Sequence, residues 1–225
     1  MNAKTLLATA LIVIAAAARA ADEGAWINLF NGKNLDGWAQ HGGTAKYRVE
    51  GDHVVGSTVP NTGNSFLCTL REFTNFVLEV EFKVATNLNS GVQIRSHVFD
   101  QPTELEWKGK TNKVPAGRVH GYQVEIDPSA RAWSGGLYEE GRRGWLNDLK
   151  GNEPARKAFK AGAWNKYRIE ARGDSLKTWI NGVPAADLKD SLTPSGFIAL
   201  QVHGVGKRTN EMEVHFRGVR LQELP

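Results

Sequence analysis

The sequence contains a single cysteine, Cys68, so the chain cannot form an intrachain disulfide. A structural zinc site built on two or more cysteines is excluded within one chain for the same reason. The chain also has little excess charge of either sign, because 28 Lys and Arg residues against 24 Asp and Glu residues leave a formal net charge of only +4. The basic residues are scattered along the chain, without the clustered face that nucleic-acid binding requires. We therefore expect no nucleic acid among the partners.

Long apolar runs are confined to the N-terminus, where Lys4 precedes an apolar stretch over 6–18. Ala18-Arg19-Ala20 then forms a small-x-small cleavage site, so residues 1–20 are predicted to be a signal peptide. The alternative is a retained anchor, but the run is short for a membrane-spanning helix and no second one follows. The expected mature chain is therefore periplasmic or secreted, with no membrane association after cleavage.

Short alternating segments separated by turn signals fill the rest of the sequence. Residues Phe76–Val84 are the clearest example, with apolar and charged residues in strict alternation. Such segments recur about every 8–12 residues, which predicts an all-β fold, a two-sheet antiparallel sandwich or jelly roll. The exceptions are a long polar loop over 100–117 and one short helix over 152–161. With no linker or repeat, we expect a single domain over residues 21–225.

Three of the predicted strands carry an unusual set of polar side chains on one face. Successive side chains along a strand alternate between faces. The polar faces hold Gln123, Glu125 and Asp127 on one strand, Gln93, Arg95 and His97 on another, and Gln201 and His203 on a third. A solvated outer face would explain them simply. However, amide, carboxylate, guanidinium and imidazole groups are those that bind sugars and move protons.

Glu125 and Asp127 could suggest a glycoside hydrolase, which uses two carboxylates across the scissile bond. Two carboxylates on one side of one strand do not flank a bond in that way. Jelly-roll β-glucanases use Glu-x-Asp-x-Glu, but here the second glutamate is missing and Pro128 ends the strand. Glu139 and Glu140 are too far along the chain to replace it without a fold-back. A conventional glucanase is therefore disfavoured.

Proton abstraction next to a carbonyl fits these residues better. Glu125 would act as the base, and Arg95 or a divalent metal ion would stabilise the developing oxyanion. Glu125, Asp127 and His203 offer oxygen and nitrogen atoms as candidate metal ligands, although the sequence contains no short metal-binding motif. His203 alone is weak evidence, since a single strand histidine is more often structural.

The loop after the Glu125 strand is rich in aromatic and basic residues. Trp133, Tyr138 and Trp145 could stack on a sugar ring, or could simply pack the loop. Arg142 in the same loop, together with Gln93, Gln123, Gln201 and Asp127, completes our set of candidate substrate-binding residues.

Several stretches, taken in order, resemble the bacterial 3-keto-disaccharide hydrolase-like family over nearly all of the mature chain. Singly they are weak signals, but their order is specific. The stretches are LFNGKNLDGW at 29–38, NSGVQIR at 89–95, GYQVEID at 121–127, GGLYE at 135–139, Trp164-Asn165, Asn181-Gly182 and GFIALQVH at 196–203.

The resemblance implies a concanavalin A-like jelly roll and cleavage of 3-keto-glycosides, with an oxidised sugar as the small-molecule substrate. In that reaction the keto group acidifies the C2 proton, its removal expels the group at C1, and water then adds. Glu125 would serve in acid/base work, Arg95 would face the keto oxygen, and Asp127 and His203 would bind sugar or metal. The alternatives are a non-catalytic carbohydrate-binding module and a conventional glucanase-type hydrolase.

Overall fold

A computed structural model of the chain describes residues 24–225. The predicted signal peptide, residues 1–20, lies outside the described residues, and the single-domain assignment from residue 21 stays a prediction. No helix among residues 24–225 is both long and apolar enough to cross a membrane.

Two large antiparallel sheets form the body of the molecule, with strands numbered along the chain. The first sheet contains β1 (Trp26–Asn28), β3 (Lys46–Glu50), β4 (His53–Ser57), β6 (Phe76–Val84), β13 (Asn165–Arg172), β14 (Ser175–Ile180), β15 (Val183–Lys189) and β17 (Glu213–Glu223). The second contains β2 (Trp38–Gly42), β5 (Ser65–Phe73), β7 (Ser90–His97), β10 (His120–Ile126), β11 (Leu137–Glu140), β12 (Gly144–Asn147) and β16 (Gly196–Val202).

The spatial order of the strands is 15-14-13-6-17-4-3 in the first sheet, with β1 added against β17, and 12-11-10-7-16-5-2 in the second. Neighbouring strands are thus often distant in sequence, as a jelly roll requires. The predicted all-β, two-sheet antiparallel jelly-roll sandwich is therefore confirmed.

The hydrophobic core lies between the two sheets. Leu78 and Phe82 of β6 face it from the first sheet, and Val92, Tyr122 and Val124 face it from the second, all fully buried. Because side chains alternate along a strand, Gln93, Gln123 and Glu125 must lie on the opposite face of the second sheet. We call this surface the polar face.

One prediction in the connecting segments was wrong. Residues 100–117 are not a loop, because β8 (Thr103–Trp107) and β9 (Lys110–Val114) pair as a separate hairpin. Its turn residues, Lys108 and Gly109, both have positive φ (47° and 74°), which suits the right-handed twist of a two-residue hairpin. The sequence hid this turn because Lys is not a typical residue there.

The predicted short helix is present as α1 (Glu153–Ala158). The Asn152 side chain caps it by accepting a hydrogen bond from the Ala155 backbone N–H at 3.2 Å. Pro154 lies in its first turn, where a missing N–H costs nothing. Asn152 also donates to the Pro184 and Ala185 carbonyls and so ties the helix to β15.

Candidate active site

The polar face carries a cleft of about 360 Å³ near one end of β10. We call it the polar cleft. Its lining residues come from β10, β11, β12 and the adjoining loops, and they are Asn64, Asn89, Arg118, Gln123, Glu125, Arg131, Tyr138, Glu140, Trp145 and His203. Two carboxylates, two guanidinium groups, an imidazole and two aromatic rings therefore share one small volume.

Glu125 is held tightly in this cleft and is only 4% exposed. Asn89 Nδ2 donates to its Oε1 at 2.6 Å, and Gln123 Nε2 donates to its Oε2 at 2.7 Å. Burial raises the pKa of Glu125 to about 7, even though both hydrogen bonds lower it. Glu125 is therefore a carboxylate with the proton affinity of a neutral-pH base.

Two glutamines orient the Gln123 amide next to Glu125. Gln93 and Gln201 both donate their Nε2 hydrogens to Gln123 Oε1, at 2.7 and 2.8 Å. With its oxygen so engaged, Gln123 has to turn its amide nitrogen towards Glu125. Gly91 makes room, since a Cβ there would lie 2.6 Å from Gln123 Cγ. Gln93 and Gln201 were predicted to bind substrate, but the structure places them outside the cleft lining, as supports for Gln123.

The second carboxylate of the cleft, Glu140, was ruled out from the sequence as too distant. The chain in fact folds back, and β11 pairs with β10 so that Tyr138 lies opposite Gln123 and Glu140 lies opposite Gly121. Directly opposed residues share a face of the sheet. Tyr138 and Glu140 consequently join Gln123 and Glu125, while Glu139 points to the core side.

Glu140 is also only 4% exposed, and two side chains hold it. Arg118 Nη2 donates to its Oε1, and Asn64 Nδ2 lies 3.5 Å from its Oε2. Burial raises the pKa of Glu140 and outweighs the lowering by Arg118.

Arg95, the predicted oxyanion-stabilising residue, does not reach the cleft. Between the Ile94–Tyr122 and His97–His120 pairs, β7 has one residue more than β10, so the strand bulges. Arg95 takes a φ of +44° in the bulge. Its side chain leaves the face of Gln93 and is completely buried.

The buried guanidinium of Arg95 closes one end of the sandwich. It donates to the backbone oxygens of Thr74 and Gly173, both at 2.7 Å, and lies 3.3 Å from Asn75 Oδ1. These groups belong to the β5–β6 and β13–β14 turns. The assignment of Arg95 to the site was therefore wrong, because the alternation from which it followed is broken at Arg95.

Arg131 is the cation that lies beside Glu125 instead. Its Nη2 is 3.7 Å from Glu125 Oε1, and its Nε donates to Asp127 Oδ2 at 2.8 Å. Burial raises the pKa of Asp127, but hydrogen bonds from Ser129, Arg131 and Trp133 outweigh this effect and lower it. Asp127 therefore remains ionised and fixes Arg131, rather than lining the polar cleft itself.

The predicted aromatic residues differ in their placement. Tyr138 and Trp145 line the cleft, with ring centroids 5.4 Å apart. Trp133 packs edge-on against Trp145 at 4.8 Å and lies under Arg131, whose Cζ is 4.6 Å from its centroid. Trp133 thus supports Arg131 and Trp145 from outside the cleft lining.

Arg142 was predicted to bind substrate, and this prediction is contradicted. Its side chain is completely buried and pairs with Glu139 at 2.8 Å and with Thr193 at 3.2 Å, on the core side of β11. Arg143 joins the same cluster and bridges Glu139 and Asp190. The turn after β11 directs these two arginines away from the cleft.

His203 follows β16 and does line the polar cleft. Its Nδ1 lies 2.8 Å from the Gly204 carbonyl oxygen. Because a carbonyl only accepts hydrogen bonds, Nδ1 carries the proton and Nε2 holds the lone pair in the neutral ring. Since Glu125 lines the same cleft, the structure brings His203 and Glu125 into one site.

The candidate metal ligands Glu125, Asp127 and His203 do not converge. Among residues 24–225 there is no group of three or more His, Cys, Asp or Glu side chains placed to hold a metal ion. Both Asp127 oxygens are engaged by the loop that follows, and both Glu125 oxygens accept from amides. The predicted divalent metal site at Glu125, Asp127 and His203 therefore does not fit the structure.

Sequence reasoning missed five residues of the cleft, namely Asn64, Asn89, Arg118, Arg131 and Glu140. All five lie outside the three polar strands, four of them in loops and Glu140 in β11. Glu140 could have been found from Leu137–Glu140, since a short strand folding back on β10 puts every second residue on the polar face. The other four depend on loop conformations that alternation does not encode.

A sequence profile described as the 3-keto-alpha-glucoside-1,2-lyase-like domain matches residues 25–222. The chain belongs to this family. The predicted resemblance is therefore confirmed over nearly the whole described chain. No curated protein matches the chain.

Solved structures with the same fold include sugar-related proteins at low sequence identity. A candidate glycosyl hydrolase from Parabacteroides distasonis has a TM-score of 0.56 and 18% identity, covering 90% of this chain and 94% of that one. A galectin-like protein of unknown function from Bacillus subtilis has a TM-score of 0.60 and 15% identity, with 90% and 97% covered. Carbohydrate-binding module CBM66 from Bacillus subtilis has a TM-score of 0.54 and 17% identity, covering 82% of this chain and 94% of that one. These similarities establish the fold of this family member and leave its chemistry open.

Proposed function

We propose that the protein cleaves 3-keto-glycosides, with Glu125 as the base that removes the proton at C2. The observation that carries the proposal is a glutamate in a polar cleft whose pKa burial raises to about 7. Membership of the 3-keto-glucoside lyase-like family supports the substrate class. A group with this pKa is about half ionised at neutral pH, and its carboxylate is basic enough to accept a proton from carbon.

The keto group at C3 makes the reaction accessible to a carboxylate. It acidifies the neighbouring C2 proton by delocalising the resulting charge onto oxygen. The electron pair then expels the group at C1, and water adds to the C1–C2 double bond. The net result is hydrolysis without direct displacement at C1, so the chemistry does not need the glucanase pair of carboxylates across one bond.

Arg131 takes the role that the sequence had assigned to Arg95. Its guanidinium lies 3.7 Å from Glu125 Oε1, so a substrate whose C2 meets Glu125 would present its C3 oxygen close to Arg131. Asp127, Trp133 and Trp145 hold the guanidinium before substrate arrives. A preorganised donor at a developing oxyanion is worth about 2.7–4 kcal/mol.

The aromatic wall supplies sugar recognition. Tyr138 and Trp145 present their rings to the cleft beside Glu125, and aromatic faces suit the C–H groups of a pyranose. We also propose that the enzyme acts after export, in the periplasm or outside the cell, since the N-terminal sequence has the pattern of a signal peptide.

Two other functions have one observation each in their favour. A non-catalytic carbohydrate-binding module would use the same aromatic wall, and the fold is shared with such a module. A conventional glycoside hydrolase would use Glu125 and Glu140, which the fold-back of β11 brings into one cleft.

One comparison separates the three functions. The purified protein is incubated with a 3-keto-glucoside and with its unoxidised parent, and the released group is quantified. We expect turnover of the keto sugar only. Equal turnover of both would indicate the conventional hydrolase, and binding of either sugar without turnover would indicate the binding module.

A further inference from the structure

Glu125 and Glu140 stand on either side of Tyr138 in the polar cleft. In the β10–β11 register Tyr138 lies opposite Gln123, which places Glu140 two residues towards one end and Glu125 two residues towards the other. The pKa of Tyr138 is raised by burial and, in addition, by the charges of both Glu140 and Glu125. Both carboxylates therefore act on Tyr138 from opposite sides, and a sugar stacked on the Tyr138 ring would lie between them.

The immediate surroundings of Glu140 are built around it. Arg118 donates a hydrogen bond to its Oε1, and Asn64 donates one to its Oε2. Gly141 follows directly, and a Cβ there would lie 3.2 Å from Arg118 Nε and 3.1 Å from His120 Cβ. A side chain at position 141 would crowd Arg118, and Gly141 also has a φ of +68°, so a glycine suits this position beside the Arg118–Glu140 pair.

Glu140 also differs from an ordinary surface ion pair. The side chain of Arg118 is half exposed, whereas that of Glu140 is 6% exposed and lines the cleft. Burial raises its pKa despite Arg118. A carboxyl group in this position can give its proton to a leaving oxygen, because Arg118 stabilises the carboxylate that remains.

We propose that Glu140 is a second catalytic residue, the acid that protonates the departing oxygen at C1 and the base that later activates water. This inference rests on the proposed function. In the elimination, Glu125 takes the C2 proton, the C2–H electron pair becomes the C1–C2 double bond, and the C1–O bond breaks. The proton of Glu140 goes to the leaving oxygen.

The hydration step restores both residues. The Glu140 carboxylate takes a proton from water, whose oxygen bonds to C1, and Glu125, after its proton has exchanged with solvent, delivers a proton to C2. Every bond broken in the first step is matched in the second, and no oxidant or reductant is consumed. The cycle starts with one proton on this pair of carboxyl groups, and the reactive form is the one in which Glu140 holds the proton and Glu125 is ionised.

The test compares leaving groups. Wild type and Glu140→Gln are assayed on methyl and 4-nitrophenyl 3-keto-glucosides, because nitrophenolate departs without a proton and methanol does not. For Glu140→Gln we expect kcat/KM to fall about 100-fold or more on the methyl glycoside and less than about tenfold on the nitrophenyl glycoside. Glu104→Gln changes an exposed glutamate on the β8–β9 hairpin and serves as the matched control, with both activities unchanged.

A second variant keeps the carboxyl group in place. Arg118→Met removes the charge that lowers the pKa of Glu140, so the protonated acid should persist to higher pH. The alkaline limb of kcat/KM on the methyl glycoside should therefore move up in pH. An unmoved limb, or an equal loss on both glycosides in Glu140→Gln, would overturn the role of Glu140. Absence of turnover of either keto-glucoside by wild type would instead overturn the proposed function itself.

Discussion

The side-chain amide of Asn89 lies 2.6 Å from Oε1 of Glu125 and donates a hydrogen bond to it. Asn89 precedes β7, whereas Glu125 is in β10, so the contact joins the loop to the candidate catalytic strand. Among the effects that lower the pKa of Glu125 against the raising effect of burial, this hydrogen bond is the largest. Asn89 therefore sets how basic Glu125 is.

Asn89→Ala should shift the pH dependence of turnover. Loss of the donor raises the pKa of Glu125 above 7, so the base is protonated over a wider range. The acid limb of kcat/KM should move up by about one pH unit, since one unit corresponds to about 1.4 kcal/mol and a charge-assisted hydrogen bond contributes a similar amount. Turnover should fall about tenfold at pH 6 and little at pH 9.

Asn87→Ala is the matched control for Asn89→Ala. Asn87 lies in the same loop, and its backbone oxygen, which the substitution leaves intact, accepts from Arg208. Its pH profile should coincide with that of wild type. A parallel loss at every pH in Asn89→Ala would show that Asn89 positions Glu125 without tuning its pKa.

Arg95→Met should reduce stability far more than activity. The substitution leaves the Thr74 and Gly173 carbonyls, which accept from Arg95, without their buried donor. Unsatisfied buried groups cost about 1–3 kcal/mol each, so the free energy of unfolding should fall by about 3 kcal/mol. Urea denaturation measures this loss, and kcat/KM at a temperature where the variant is folded should stay within about threefold of wild type.

Arg71→Met provides the comparison for Arg95→Met. Arg71 is exposed and pairs with Glu223 at the surface, so its loss should change stability by less than about 1 kcal/mol. Wild-type stability combined with lost turnover in Arg95→Met would contradict the structural role of Arg95.

His120→Phe should stabilise the protein, and more so in acid. His120 is completely buried beside Phe99, and burial, with the charges of Arg142 and His97, lowers its pKa to about 3. Between pH 6.5 and 3 the unfolded chain binds a proton that the folded chain does not, so stability is lost as pH falls through this window.

Phenylalanine at position 120 removes that linkage. The gain in unfolding free energy should be about 2 kcal/mol larger at pH 5 than at pH 8, since the window contributes about 1.4 kcal/mol per unit. Thermal denaturation of both proteins at the two pH values measures it. An equal change at pH 5 and pH 8 would mean that His120 binds its proton as readily in the folded protein as in the unfolded chain.

The regular part of the fold follows from alternation. Phe76–Val84 was predicted with the bounds of β6, because a strand buried on one face has to place an apolar residue at every second position. The same rule placed Gln93, Gln123, Glu125 and Gln201 on one face, and the structure gives them one hydrogen-bond network.

The incorrect and missed site residues lie where alternation along a strand carries no information. One extra residue in β7 reverses the side on which Arg95 points, and alternation cannot show an insertion. The place of Glu140 depends on the register between β10 and β11, which the intervening loop determines. Arg131 and Asn89 reach Glu125 from loops, so tertiary contacts alone bring them there.

The proposed reaction depends on Glu125 removing the proton from C2 of a 3-keto sugar. The most direct measurement incubates wild type and Glu125→Gln with a 3-keto-glucoside in D2O and follows deuterium at C2 by NMR. We expect C2 deuteration in wild type, in product and recovered substrate together, and at least a 100-fold slower rate in Glu125→Gln. Deuteration at the wild-type rate in Glu125→Gln, or product formed by wild type without deuterium at C2, would contradict it.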